Sequence, residues 1–236
     1  MNFDFSEEQG MLRDSVARFV QDDYDFDTRR AIVASDKGMR EDYWNTFAEL
    51  GWLCVPFAEE HGGFGGGAVD LMVMMEEFGK GLVVEPYFAT VVLFGGLLRA
   101  AGNEAQQAEL IPGIIEGRTL GAFAYLERQS RFALADIKTT AVAAGDGFTL
   151  NGEKVVVFNG ANADTLIVAA RSAGEQSDEA GISLFIVAAD AAGVERSDYR
   201  LMDGQKVANI RFNDVSLGAD ALLGELGQGF VVMDRV

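Results

Sequence analysis

The chain has 236 residues, 49% of them hydrophobic, so it is long enough for one large domain or two ordinary ones and can bury a core. Its 19 basic and 37 acidic residues give a formal net charge of -18, and no block of Lys and Arg interrupts the acidic excess. Nucleic acids and anionic lipids are bound through clustered cations, so both are excluded as main partners, whereas an anionic cofactor in a local pocket is not.

The single cysteine, Cys54, excludes an intramolecular disulfide and predicts a reducing, cytoplasmic location. It lies in the apolar run WLCVPF, which favours core packing over a nucleophilic role. The N-terminus lacks the basic and apolar regions of a secretory signal. The most apolar stretch, residues 88–98, is much shorter than the roughly 20 residues of a membrane span, so no membrane association is expected.

The first half of the chain predicts helices. Ser6 and Gln9 fit a capping box at the start of the first helix, after which apolar residues recur at helical spacing. The other predicted helices carry Tyr43, Trp44, Phe47 and Leu50 before Gly51; Val69, Met72 and Val73; Pro86 through Leu98; and residues 104–115 before Gly117. This pattern predicts an all-α N-terminal domain over residues 1–117.

After about residue 118 the periodicity becomes that of strands. Short runs rich in Val, Ile, Thr and Phe are separated by turn signals, including Asn151-Gly152 and a candidate type I′ hairpin at Asp146-Gly147. The predicted fold is α+β, with an antiparallel barrel or sandwich as a middle domain over residues 118–228. Residues 229–236 begin another apolar helical pattern and stop within it, which is expected of a truncated chain.

A glycine-rich stretch offers one candidate cofactor site. Gly63-x-Gly65-x-x-Ala68 loosely matches the dinucleotide fingerprint, with Glu85 at a suitable distance for a ribose contact. That site needs a preceding parallel strand, but a helix and a short apolar segment come before these glycines. A loop between helices is therefore favoured, and a nicotinamide enzyme remains an alternative.

The other residues that could take part in catalysis form no recognisable catalytic arrangement. His61 is the only histidine and stands among turn residues, which favours a solvated loop position over a metal site or a triad. The acidic pairs Glu59/Glu60 and Glu76/Glu77 could act in acid–base chemistry, but such pairs are usually solvated. No metal ligands are therefore predicted.

Six segments that follow one another over nearly the whole chain carry a resemblance: ELGWLCVPFAEEHGGFGGG, MEEFGK, FTLNGEKVVVFNGANAD, GISLFIV, VANIRFNDV and LLGELGQG. Together they resemble the acyl-CoA dehydrogenase family. Residues 123–141 and the segment PGIIEG are most similar to the small-subunit branch of pimeloyl-CoA dehydrogenases, which act on dicarboxylyl-CoA. The resemblance implies an N-terminal helical domain, a middle β domain, and a C-terminal four-helix domain that this sequence lacks.

The same resemblance implies FAD chemistry, in which a glutamate of the third domain takes the α proton and hydride passes to the flavin. No glutamate of this chain matches that base, so no catalytic residue is assigned. In the family, the segment matching residues 123–133 runs along the flavin and reads aromatic-x-x-Thr-Glu-Pro-x-Ala-Gly-Ser-Asp. A second flavin contact there, Trp-x-Thr, matches Val156-Val157-Phe158.

The cofactor-binding positions implied by this match are Phe123, Tyr125, Leu126, Val156 and Phe158. Leu126 and Phe158 each replace a hydroxyl that would bond the flavin, worth about 0.5–1.5 kcal/mol per bond, and Val156 replaces the tryptophan. Bulky side chains also fill residues 128–132. The interpretation is a degenerate flavin site, with FAD bound weakly or not at all by this chain.

The leading hypothesis is thus the small subunit of a heteromeric acyl-CoA dehydrogenase that is inactive alone and contributes to α,β-desaturation of an acyl-CoA. Its expected partners are a large acyl-CoA dehydrogenase subunit and electron-transferring flavoprotein. Arg128, Arg131 and Phe132 are the candidate substrate contacts, because a guanidinium binds a CoA phosphate or a distal carboxylate bidentately. The alternative interpretation is that both arginines are ordinary surface charges.

An alternative from another class is a non-catalytic scaffold that kept the fold and lost the flavin. Without the family's helical bundle, one face of the chain is expected to be apolar and to promote self-association.

Overall fold

The structure is a computed structural model that describes residues 4–236. The first residues of the predicted helical domain, and of the N-terminus used to exclude a secretory signal, lie outside that range. Six α-helices precede the sheet: α1 Glu7–Asp23, α2 Phe26–Ala34, α3 Glu41–Glu49, α4 Ala68–Gly81, α5 Gly95–Ala101 and α6 Glu104–Ile115. A π-helical stretch, Phe88–Phe94, leads directly into α5, and α7 spans Gly229–Arg235.

The predicted capping box forms at the start of α1. Ser6 Oγ accepts from the backbone N–H of Gln9 at 3.1 Å, and Gln9 Oε1 accepts from the Ser6 N–H at 3.0 Å. In contrast, α2 was not predicted, because Ile32 is its only buried residue and one buried residue makes no periodic pattern. Its start is nevertheless capped by the Asp25 carboxylate, which accepts from Thr28 N–H at 2.7 Å.

The second half forms one eight-stranded, mostly antiparallel sheet with the order β6-β7-β3-β2-β4-β5-β8, and β1 pairs with β4 in parallel. The strands are β1 Gly121–Ala124, β2 Thr140–Ala144, β3 Gly147–Phe158, β4 Thr165–Arg171, β5 Ile182–Ala188, β6 Val194–Arg200, β7 Lys206–Leu217 and β8 Leu222–Leu223. The predicted α+β fold is confirmed. The polar edge strand β6 was missed, since it buries no residue fully.

Two turn predictions are wrong. The β2–β3 hairpin turns at Gly145 and Asp146, of which only Gly145 has positive φ, while Gly147 pairs with Ala144 as the first residue of β3. A glycine stands at 147 because a Cβ there would lie 2.0 Å from the Leu217 carbonyl oxygen. The dipeptide Asn151-Gly152 is likewise no turn: it forms a bulge inside β3.

The helical domain and the sheet share a core. Along β4, Ile167 and Ala169 face the helices, whereas Leu166 and Val168 face a second cluster on the other side of the sheet. The π-helical stretch packs on β1 so closely that a Cβ on Gly121 would lie 2.2 Å from the Phe94 ring. This contact fixes where β1 begins relative to the helical domain.

Large apolar side chains remain exposed on or directly next to the helices, among them Val69, Met72, Phe88, Val231 and Val236. The expected self-association through an apolar face stays a prediction. Across residues 4–236, the helices are too short or too polar to cross a bilayer.

Candidate functional site

The candidate site is the interrupted strand, which we define as residues 125–139, between the end of β1 and the start of β2. It is irregular and contains several turns, as its charged sequence predicts. The Leu126 carbonyl accepts from the Val155 N–H at 2.9 Å, so the interrupted strand begins alongside β3. The two family-matched segments, around Leu126 and around Val156, therefore lie side by side.

A buried ion pair holds the interrupted strand to β3. Lys154 Nζ lies 2.8 Å from Glu127 Oε1 and 3.2 Å from the Tyr125 carbonyl oxygen, and both ionised side chains are almost completely buried. The carboxylate also accepts from the backbone N–H groups of Lys138 at 2.8 Å and Thr139 at 3.0 Å. The Glu127 side chain thus joins Lys154 on β3 to the far end of the interrupted strand, while Glu127 itself lies near its beginning.

The pKa values show how tightly this pair is coupled. Burial by itself raises the pKa of Glu127, but the charge of Lys154 and the hydrogen bonds from Lys154, Gln129 and Thr139 outweigh burial and lower the pKa to about 2. Burial lowers the pKa of Lys154 to about 8, although Glu127 opposes that shift. Both groups are charged at neutral pH.

The turn that starts at Glu127 is held by hydrogen bonds among its own residues. Ser130 Oγ accepts from Glu127 N–H at 3.0 Å and donates to the Glu127 carbonyl at 2.9 Å, while Gln129 Nε2 donates to the Glu127 carboxylate at 2.7 Å. Arg131 has a φ of +46°, a left-handed conformation in which the chain reverses. As a result, Phe132 projects from the turn and is fully exposed.

A buried arginine secures the far end of the interrupted strand. Arg171, at the end of β4, donates to the backbone carbonyls of Ala135, Gln176, Asp178 and Ala180 at 2.8–2.9 Å. It thereby ties the β4–β5 loop to the interrupted strand. Sequence reasoning missed Arg171 because its partners are carbonyl oxygens, which leave no side-chain signature.

The five predicted cofactor positions carry mostly apolar side chains; Phe123 is buried, and the other four are half-buried. The Phe123 and Tyr125 rings stack with centroids 4.8 Å apart, and Leu126 is half-buried. Val156 sits at the second bulge of β3 with a φ of +52°, and the Phe158 ring meets Phe88 edge-on at 6.5 Å. Leu126, Val156 and Phe158, which we call the hydrocarbon wall, thus present only hydrocarbon side chains, and these side chains offer no hydrogen bond to the polar edge of a flavin ring.

The three predicted substrate residues all lie on the outer face of the interrupted strand. Arg128 is largely exposed and pairs with Glu153 at 3.2 Å. The Arg131 side chain is exposed and has no hydrogen-bond or ion-pair partner among residues 4–236. Together with Phe132, these residues give the turn a basic and aromatic surface on an acidic chain.

Several other candidates occupy structural positions. Cys54 is buried, as predicted. The predicted solvated loop for His61 is wrong, because its largely buried side chain places Nε2 3.1 Å from Gln107 Oε1 on α6. Glu59, Glu60 and Glu76 are exposed, but Glu77 is buried beneath Lys80, at 2.7 Å, and so contradicts the prediction of a solvated pair.

The glycine-rich stretch is a loop between helices, as favoured. Residues 51–67 hold no strand, and a Cβ on Gly63 would lie 2.0 Å from the Phe57 carbonyl oxygen. Glu85, the supposed ribose contact, is buried and accepts from Tyr24 Oη–H at 2.7 Å. The nicotinamide alternative therefore lacks the strand and the free carboxylate that it needs.

Comparisons with known proteins place this geometry in a family. Residues 6–118 match the acyl-CoA dehydrogenase N-terminal domain, and residues 122–215 match the acyl-CoA dehydrogenase middle domain. The chain belongs to the acyl-CoA dehydrogenase family. The two matches cover its helical domain and most of its sheet.

Similar proteins agree with this assignment. The probable acyl-CoA dehydrogenase YngJ of Bacillus subtilis is 31% identical over 98% of this chain and 61% of that protein. An acyl-CoA dehydrogenase structure from Geobacillus kaustophilus has a TM-score of 0.88 at 27% identity, over 100% of this chain and 63% of that one. The Tcur3481-Tcur3483 steroid ACAD has a TM-score of 0.84 at 26% identity, over 99% and 61%. The chain thus spans about three fifths of these relatives.

Proposed function

We propose that this chain is the small subunit of a heteromeric, FAD-dependent acyl-CoA dehydrogenase that catalyses α,β-desaturation of an acyl-CoA. In this proposal, a large acyl-CoA dehydrogenase subunit holds the flavin and supplies the catalytic base, and electron-transferring flavoprotein accepts the electrons. A cytoplasmic location accords with the lone Cys54. The Tcur3481-Tcur3483 relative supports the heteromer, because its name joins two proteins.

The observation that carries this proposal is the hydrocarbon wall at positions 126, 156 and 158. A ring with polar edges placed against this wall would lose hydrogen bonds to water and gain none from these side chains, which is unfavourable. The Phe88–Phe158 contact adds bulk at the same place. The residues therefore do not fit the flavin ring, and the FAD of the complex is assigned to the partner subunit.

The test is the flavin content of the purified protein. The chain alone is expected to be colourless, and its complex with a co-expressed large subunit is expected to carry one FAD per pair of chains and to desaturate an acyl-CoA. The triple variant L126T/V156W/F158T restores the family's contacts and should raise flavin retention, whereas V142T, on exposed β2, should not. Tight, equimolar FAD in the unaltered chain would contradict the proposal.

The substrate part of the proposal concerns Arg128, Arg131 and Phe132. Arg131 is the stronger anion-binding candidate, because Arg128 already pairs with Glu153. We assign the substrate to dicarboxylyl-CoA thioesters such as pimeloyl-CoA. In the complex, R131M should lower the affinity for dicarboxylyl-CoA more than the affinity for monocarboxylyl-CoA, and R128M should do so to a smaller extent. Equal losses for both thioesters would contradict a contact with the distal carboxylate and point to the CoA phosphates, and no loss for either would reduce these arginines to surface charges.

The same wall also favours a second candidate, a scaffold without a part in the reaction. The two are separated by comparing the complex with the large subunit alone at equal flavin. Faster desaturation by the complex identifies a working subunit, and unchanged kinetics with stable association identify the scaffold.

A further inference from the structure

A cavity away from the interrupted strand lies where the helical domain meets the sheet. It has a volume of about 440 Å³. Its walls come from the α3 face that carries Trp44, from residues 117–120 before β1, from the loop 161–164 after β3, and from Arg196 on β6. We call it the seam cavity. None of the residues predicted to bind cofactor or substrate lines it.

The charge of the seam cavity differs from that of the chain. Three cationic side chains, Lys37, Arg118 and Arg196, line it against two carboxylates, Glu41 and Asp164. In the whole chain, acidic residues outnumber basic ones by 37 to 19. The cavity wall is thus less acidic than the chain as a whole, so it opposes an anionic ligand less than the rest of the surface does.

Arg196 is the cation with spare capacity. Lys37 pairs with Glu41, and Arg118 pairs with Glu116. Arg196 instead donates through Nη1 alone to the carbonyls of Gly160, Ala161 and Ala163, at 3.5, 3.4 and 3.1 Å. Within residues 4–236 its charge meets no carboxylate, and its Nε and Nη2 groups remain available for the bidentate geometry that carboxylates and phosphates prefer.

Trp44 supplies a second, independent sign of a missing acceptor. Its side chain is almost fully buried, and its Nε1–H has no hydrogen-bond partner among the described residues. Buried indole N–H groups usually have one. Trp44 and Gly117 both line the cavity, and a Cβ on Gly117 would come within 3.5 Å of Nε1, so this N–H lies close to the cavity wall.

We propose that the seam cavity binds a small anion with carboxylate or phosphate oxygens. The anion is held by the free guanidinium nitrogens of Arg196 and lies beside Gly117, near the unsatisfied N–H of Trp44. Since α3 belongs to the helical domain and Arg196 to the sheet, the bound anion also links the two parts of the chain.

Trp44 provides the readout, because the chain has only two tryptophans. The variant W52F leaves Trp44 as the sole indole, and we expect its fluorescence to change saturably on titration with inorganic phosphate or succinate at constant ionic strength. Stronger binding of phosphate would point to a phosphorylated ligand, and stronger binding of succinate to a carboxylate. Since Trp52 is fully buried, calorimetric titration of the unaltered chain gives the same measurement if W52F does not fold.

The matched variants are R196Q and R211Q. Arg211 lies on the neighbouring strand β7, near Glu153 and Glu195, and does not line the cavity. R196Q should weaken the affinity at least tenfold, and R211Q should leave it unchanged. The proposal is overturned by no saturable binding up to 50 mM of either probe, by a response that sodium chloride reproduces, or by equal affinity in R196Q.

Discussion

The two faces of the interrupted strand differ in how their charges are used. On the inner face, Glu127 and Lys154 form a buried pair that also bonds the backbone at both ends of the segment. On the outer face, Arg128 and Arg131 stand in water. Glu127 aligns with the glutamate of the family segment, whereas Arg128 and Arg131 depart from it. The comparison shows that the shape of this segment can persist while the surface that it presents changes.

Removing one member of the inner pair should have the largest effect. Either K154M or E127Q leaves a buried charge without its partner, which typically costs about 3–5 kcal/mol. We expect a loss of that size in the free energy of unfolding, measured by urea denaturation. A loss below about 1 kcal/mol would mean that the inner pair is no more important than an exposed one.

Acid should weaken the same pair. The folded pKa of Glu127, about 2, lies below its ordinary value of 4.5, so between these pH values the unfolded chain binds more protons and stability rises with pH. The contribution of Glu127 is complete above pH 4.5 and is lost as pH falls towards 2. A shift of this size corresponds to roughly 3 kcal/mol.

The many other carboxylates also titrate in this range, so the informative quantity is the difference between the unaltered chain and E127Q. That difference should shrink as the pH falls from 4.5 towards 2. A difference that does not change with pH would contradict the lowered pKa.

The fold could largely be predicted because burial creates periodicity. Helix α3 buries Trp44 and Phe47 on one face, and β4 is buried along almost its whole length. Among the elements that were missed, α2 and the two-residue β8 bury one residue each and β6 buries none. Glycine was misread in the sheet, since Gly147 and Gly152 serve close backbone approach and a bulge, which a single sequence does not distinguish from a turn.

The site could be predicted only in part. Glu127 aligns with the glutamate of the family segment, but its partner Lys154 is 27 residues away, and no local spacing rule connects them. The interrupted strand was rightly expected to be irregular. The irregular shape results from the hydrogen bonds that backbone groups form with the side chains of Glu127 and Arg171. These bonds depend on tertiary contacts, which sequence patterns do not contain.

Breaking the outer pair should have the smallest effect and completes the comparison. R128M removes the ion pair with Glu153, both of whose members are accessible to water, and exposed pairs contribute about 0–1 kcal/mol. Urea denaturation should therefore show a change within that range, and 0.5 M salt should abolish it because exposed charges are screened. The matched variant is K138M, an exposed lysine of the same segment without an ion pair among residues 4–236. If R128M cost as much as K154M, the outer face would also hold the segment in shape, and its departure from the family motif could not be attributed to a free surface.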